Sequence, residues 1–212
     1  AESGGALRLV VGTGSNSTAS TIATTKLAKS WGAEAALVVV PYYNKPSQNG
    51  LLQHYTAIAR EGGLPVILYN VPGRTITKLE LSTIQKLAEV PGIVAIKEAT
   101  GDLAFGKAIA QSTDLLLSSG DDGTSFALAG VGRRGVISVI SPLIAKEVSS
   151  WMKRAANGGS GKAAQEFATK YGALNNALYI EANPIPVKYA LWKMGVIASP
   201  ELRLPLTALD ES

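Results

Sequence analysis

Short apolar runs recur along the chain, and each ends in polar or glycine-containing residues. They cover residues 7–12, 35–40, 65–69, 92–97, 114–118 and 135–139. The runs are apolar nearly throughout rather than alternating, as parallel strands covered on both faces are. Between them, residues 17–31, 50–61, 80–90 and 103–111 carry apolar side chains three and four apart, which predicts helices. Thr18 and Ser82 are placed to cap two of these helices. Strand followed by helix, six times at roughly 20–30 residues per repeat, predicts a parallel α/β protein. After the sixth strand, residues 144–156, 163–179 and 186–194 read as consecutive helices, the last opened by Pro184 and Pro186. They predict a closing helix and a C-terminal helical layer.

Two architectures fit this rhythm, a doubly wound open sheet and a (β/α)₈ barrel. An open sheet gathers its ligand at one switch point, so few strand ends need reactive groups. Here nearly every predicted strand ends in a polar signature: Gly12-Thr13-Gly14-Ser15-Asn16, Tyr42-Tyr43-Asn44, Tyr69-Asn70, Lys97-Glu98, Gly120-Asp121-Asp122 and Ser138. Function spread over many C-terminal strand ends is the habit of the barrel. The expectation is therefore a (β/α)₈-type barrel of which about six βα units are present, followed by a helical extension.

Composition narrows the partners. With 46% hydrophobic residues the chain can bury a substantial core, and its 22 glycines and 10 prolines are spread as turn punctuation. The net charge of +4 comes from scattered lysines and arginines, with no basic cluster of the kind a nucleic-acid surface shows. A mild positive field favours small anionic substrates. With no cysteine, disulfides, thiolate nucleophiles and cysteine metal ligands are excluded, and a cytoplasmic location is expected. No apolar stretch approaches the ~20 residues of a membrane span. The first residues lack the basic flank and apolar run of a signal peptide.

Several motifs have ordinary explanations. Gly12-Thr13-Gly14 lacks the third glycine of a dinucleotide fingerprint and any following Gly-Lys-Ser/Thr, so it reads as a tight turn. Asp121-Asp122 has no further ligand at matching spacing and reads as a helix cap, so no metal is expected. His54, the one histidine, lies on a predicted helix, where surface or packing is the expected role. Lys97 differs. It ends an apolar strand, and partial burial lowers an amine's pKa and makes it nucleophilic near neutral pH. Such an amine condenses with a ketone to an iminium that stabilises an enamine. Tyr69 and Tyr43 also follow apolar strands and supply phenols, and Arg74 lies just past a strand end in a Pro-Gly loop, able to hold a carboxylate. An amine, phenols and a guanidinium suffice for carbonyl condensation, so no cofactor is expected beyond the imine on Lys97.

Six stretches carry a resemblance: Pro41-Tyr42-Tyr43-Asn44-Lys45-Pro46-Ser47, Leu68-Tyr69-Asn70-Val71-Pro72-Gly73-Arg74-Thr75, Ile96-Lys97-Glu98-Ala99-Thr100-Gly101, Ser119-Gly120-Asp121-Asp122, Gly135-Val136-Ile137-Ser138-Val139 and Glu181-Ala182-Asn183-Pro184-Ile185-Pro186-Val187-Lys188. From about residue 9 to 207 the chain resembles the dihydrodipicolinate synthases, pyruvate-dependent class I aldolases. The resemblance implies condensation of pyruvate with aspartate semialdehyde, towards diaminopimelate and lysine, by a self-associating cytoplasmic lyase. It implies that Lys97 forms the imine, Tyr69 and Tyr43 serve a proton relay, Arg74 binds the semialdehyde carboxylate and Ile137 lines the pyruvate pocket through its backbone. Residues 1–157 would correspond to barrel strands 3 to 8 and residues 158–212 to the helical extension.

Arg74 in its Val-Pro-Gly-Arg-Thr setting favours the synthase over N-acetylneuraminate lyase, which shares the lysine and tyrosine. A remnant that binds without catalysing is the other alternative. Lysine-inhibited members have glutamate where this chain has Ser20, although Asn16 and Tyr42 match that allosteric site, so lysine feedback is not expected. The family also carries two strand–helix units ahead of Leu7, with a Thr-Thr-Gly-Glu motif serving the relay, and a helix after Thr207. The expectation is that this chain alone forms the imine with pyruvate but turns over poorly or not at all.

Overall fold

The computed structural model describes residues 5, 7–131 and 135–210, which belong to two compact units, Ala1–Ser118 and Ser119–Ser212. In the first unit, strands and helices alternate: β1 (Val10–Gly12), α1 (Thr18–Ser30), β2 (Ala35–Val39), α2 (Gln48–Glu61), β3 (Val66–Asn70), the single turn α3 (Pro72–Thr75), α4 (Leu81–Ala88), β4 (Ile93–Glu98) and α5 (Leu103–Ser112). The next strand, β5 (Leu116–Ser119), completes a sheet whose order follows the chain, β1-β2-β3-β4-β5. The first four strands pair in parallel, with Val10 opposite Ala35, Val38 opposite Leu68 and Tyr69 opposite Lys97.

Burial alternates along the strands, and that sets up the site. Val66, Leu68 and Asn70 of β3 are fully buried, whereas Ile67 and Tyr69 on the other face are half-buried. Leu51, Tyr55 and Ile58 of α2, Ile84 and Leu87 of α4 and Ile109 of α5 are also fully buried. Each such aliphatic side chain contributes about 1.5–3 kcal/mol relative to exposure. The Tyr55 hydroxyl donates to the Val38 carbonyl at 3.2 Å, so this phenol is buried with its polar end satisfied. β1 lies at the sheet edge, where Leu9 and Val10 are each 45% exposed.

Two helix starts differ from the expectation. Ser17, not Thr18, caps α1: it is extended (φ −123°, ψ 124°) and its side chain accepts from the Ser20 amide. Thr18 is already helical, and its hydroxyl lies 2.9 Å from His54 Nδ1. Ser82 sits inside the first turn of α4, whose cap position is Glu80 with no side-chain bond. Asp102 caps α5, and Asp121 caps the helix that begins at Asp122, both through their carboxylates, as expected for Asp121. In Gly12-Thr13-Gly14 the chain leaves β1 without a regular turn, and Gly14 is required by close approach, since a Cβ there would lie 2.5 Å from the Val39 amide nitrogen.

The second unit is mainly helical: α6 (Asp122–Ala129), α7 (Ser141–Arg154), a π-helical segment (Ala155–Gly159), α8 (Ser160–Ala177) and α9 (Ile185–Lys193). Phe126, Trp151 and Phe167 pack mutually, with ring centroids 5.1–6.4 Å apart, inside a core that also holds Ile140, Val148, Leu178 and Val187. The sixth predicted strand, residues 135–139, is reduced to one isolated parallel bridge between Val136 and Ser119. Beyond it, the Val139 and Ile140 amides donate to the Asp122 carboxylate at 2.8 and 3.0 Å, which takes these donors out of a strand ladder. The α6 helix is not evident from apolar spacing because its first turn is Asp122-Gly123-Thr124-Ser125. Among the described residues no helix is long and apolar enough to cross a membrane.

Candidate active site

The polar endings of β3 and β4 form the centre of the site. Tyr69 and Lys97 are register partners, so their side chains leave the sheet on the same face. Lys97 Nζ lies 3.9 Å from the centroid of the Tyr69 ring. A cation over a phenol face is worth about 0.5–1 kcal/mol when exposed and more when desolvated. Burial pushes the Lys97 amine below the ordinary lysine range, and the positive charge of Arg74 pushes it the same way. Burial raises the Tyr69 phenol, and Arg74 partly offsets that rise. The arrangement keeps the phenol protonated while making the amine easier to deprotonate.

Arg74 is carried by α3, which begins two residues after β3 ends. Pro72 at the first turn suits this start, and the Arg74, Thr75 and Ile76 amides close the turn on the Val71 and Pro72 carbonyls. The Arg74 side chain is exposed. Tyr43 stands on the β2–α2 loop with φ 74°, the left-handed region unusual for an aromatic residue, and is 84% exposed. Ile137 belongs to the second unit, where its amide donates to the Ser119 carbonyl at 2.9 Å and its side chain is 38% exposed. Of the predicted residues, the structure thus groups Lys97, Tyr69 and Arg74.

The opposite face of the same strand pair holds residues that sequence reasoning treated only as polar strand endings. Asn70 and Glu98 are register partners, 0% and 3% exposed. Asn70 Nδ2 donates to Glu98 Oε2 at 2.9 Å, the Thr100 amide donates to Glu98 Oε1 at 2.6 Å, and the Leu79 amide donates to Asn70 Oδ1 at 3.0 Å. Burial raises the Glu98 pKa, while the bonds from Thr100 and Asn70 and the charge of Lys78 pull it back down. Gln48 adds a clamp: its amide oxygen accepts from the Glu80 amide and the Thr83 hydroxyl, and its nitrogen donates to the Lys78 carbonyl. The signal for Asn70 and Glu98 was period-two alternation, which puts the residue after each reactive side chain on the helix-covered face.

His54 is buried rather than at the surface, and desolvation lowers its pKa to about 4. Among the described residues its Nε2 has no hydrogen-bond partner, and no three His, Asp or Glu side chains gather as a metal site.

Comparison with known proteins gives the fold and the family. The chloride-inhibited dihydrodipicolinate synthase from Acinetobacter baumannii, solved in complex with pyruvate, superposes with a TM-score of 0.93 at 46% identity, over 99% of this chain and 72% of that one. The fold is accordingly of the α/β TIM-barrel type with a helical C-terminal part. The sequence profile of the dihydrodipicolinate synthetase family matches residues 1–212, and the chain belongs to that family. The 4-hydroxy-tetrahydrodipicolinate synthase of Bdellovibrio bacteriovorus is 53% identical over 95% of this chain and 69% of its own length. That of Dechloromonas aromatica is 47% identical over 98% and 71%.

Proposed function

We propose that this chain is a lyase of lysine and diaminopimelate biosynthesis that condenses pyruvate with aspartate semialdehyde through an imine on Lys97. The observation that carries the reading is the half-buried Lys97 amine seated over the Tyr69 ring, with its proton affinity lowered. The neutral amine attacks the ketone carbon of pyruvate, forming a C–N bond. Two proton transfers then release the carbonyl oxygen as water and leave an iminium. Loss of a methyl proton gives the enamine, whose carbon forms the new C–C bond to the aldehyde carbon while the aldehyde oxygen takes up a proton. Attack of the acceptor's amino group on the iminium carbon closes the ring and returns the lysine amine. These steps need no cofactor.

Tyr69 is the proposed proton carrier at the imine, being protonated and in contact with the amine. Tyr43 belongs to the same relay, and its exposure on an unusual backbone supports a role outside its own unit's core, as in a self-associated enzyme. Arg74 holds the acceptor carboxylate, and the Ile137 backbone lines the pyruvate pocket. Residues 1–157 as the barrel portion, residues 158–212 as its extension and a cytoplasmic location complete the reading.

Borohydride trapping with pyruvate, read by mass spectrometry, tests it. The expected result is one pyruvate-derived adduct on the Lys97 peptide, absent in Lys97→Arg. No adduct on Lys97 overturns the proposal.

A further inference from the structure

The two faces of the β3–β4 pair carry different chemistry one residue apart. Tyr69 and Lys97 meet on one face, and Asn70 and Glu98 meet behind them. A buried carboxylate and a buried amide are costly unless every polar atom is matched. Here the matching reaches beyond the strands, because Asn70 Oδ1 takes the amide of Leu79. That bond ties residue 79 back to the end of β3 and closes a loop over residues 71–78, with Arg74 near its middle. The loop carries its own brace, since the Thr75 hydroxyl reaches the Val71 and Thr77 carbonyls. Glu98 fixes the orientation of the Asn70 amide, because only Nδ2 can donate to a carboxylate, leaving Oδ1 for Leu79. Its other oxygen holds the Thr100 amide at the start of the next loop.

We infer that Asn70 and Glu98 are a positioning pair that sets where the Arg74 loop stands relative to Lys97, and so governs recognition of the anionic acceptor more than formation of the imine. This rests on the reading of Lys97 and Arg74 given above. The pair touches no reacting atom. It acts through Leu79 and the loop base, and a displaced guanidinium is felt by the substrate whose carboxylate it holds.

The polarity of the pair provides the test. Asn70→Asp sets two carboxylates against each other, and Glu98→Gln leaves its amide opposing one of the two N–H donors. Together the substitutions restore every bond with the charge moved: the amide at 98 donates to the carboxylate at 70, whose other oxygen takes the Leu79 amide, and the amide oxygen takes Thr100. All four chains are compared for borohydride-trapped pyruvate adduct and for the kcat and KM of aspartate semialdehyde turnover, slow turnover sufficing because KM is read from its dependence on aldehyde concentration. Each single variant is expected to raise the aldehyde KM about tenfold or more with adduct yield within about twofold, and the double variant to return KM to within about threefold. Unchanged single variants, a double variant no better than the worse single, or adduct yield falling in parallel with KM each overturn the inference. Should a single variant fail to fold, the double decides alone by the same threefold limit. Failure of the underlying reading is separate and visible first, as absence of adduct in the unmodified chain.

Discussion

Lys97 Nζ stands 3.9 Å from the centre of the Tyr69 ring, and the two residues are direct register partners on neighbouring parallel strands. Backbone pairing rather than loop conformation therefore sets this contact, and sheet hydrogen bonds hold it. Removing the phenol oxygen while keeping the ring separates packing from proton transfer. Tyr69→Phe is expected to slow imine formation with pyruvate about 100-fold while leaving the melting temperature within about two degrees. Stopped-flow trapping and a thermal melt check both halves, and an unimpaired rate would remove Tyr69 from the chemistry.

Arg74 adds to burial in holding the Lys97 amine below the ordinary lysine range. The nucleophile is the neutral form, so imine formation should rise with pH through the folded pKa of Lys97, below that of free lysine at about 10.4. Arg74→Ala removes one of the two downward influences. The midpoint of the pH–rate profile should move to higher pH, and the aldehyde KM should rise. Arg74→Lys keeps the charge and should hold the midpoint, but it loses the bidentate grip and should share the KM defect. A midpoint that stays put in Arg74→Ala contradicts the electrostatic account.

His54 gives the first unit an acid-labile element. Its folded pKa, about 4, is depressed below the ordinary value of 6.5 by burial. Stability from keeping the ring neutral is therefore complete above pH 6.5 and is lost as pH falls towards 4. The loss is on the order of 3 kcal/mol over that window. Urea unfolding at neutral pH and near pH 4.5 measures it. His54→Phe should flatten the dependence, and an equal slope in that variant would assign the acid lability to other groups.

In the second unit, Phe167 contacts both Phe126 and Trp151 and is 5% exposed. Phe167→Ala should destabilise that unit by about 3–5 kcal/mol, the range for deleting a buried aromatic. Trp151 fluorescence provides a local reporter, because the indole sits against the deleted ring. A midpoint unchanged in denaturant would mean that this aromatic cluster contributes little to stability.

Much of the site was legible because its parts end strands, and strands show as apolar runs. Lys97, Tyr69 and Arg74 could be located from that alone, along with the alternation of strand and helix. Asn70 and Glu98 were in view but undifferentiated, since a polar residue at a strand end looks the same whichever face it takes. Only the β3–β4 register separates the reacting pair from the supporting pair. The sixth strand failed for a related reason. Residues 135–139 are apolar enough to pair, but the Asp122 carboxylate captures the Val139 and Ile140 amides, and a side-chain competitor 17 and 18 residues away leaves no trace in periodicity. For His54 the sequence left surface and packing open, and the structure gives packing, with the ring beside Thr18 and Tyr55.

The single turn of α3 follows β3 with one residue between them, so seven consecutive residues, from Tyr69 to Thr75, deliver both a phenol and a guanidinium. For an engineer this makes the stretch from Val71 to Lys78 a replaceable cartridge. Its two anchors, Asn70 and Leu79, can be kept while everything between them is varied in length or charge. A library built on that span would search new acceptor aldehydes, and members that keep a positive charge at position 74 would retain its influence on the amine that activates the donor.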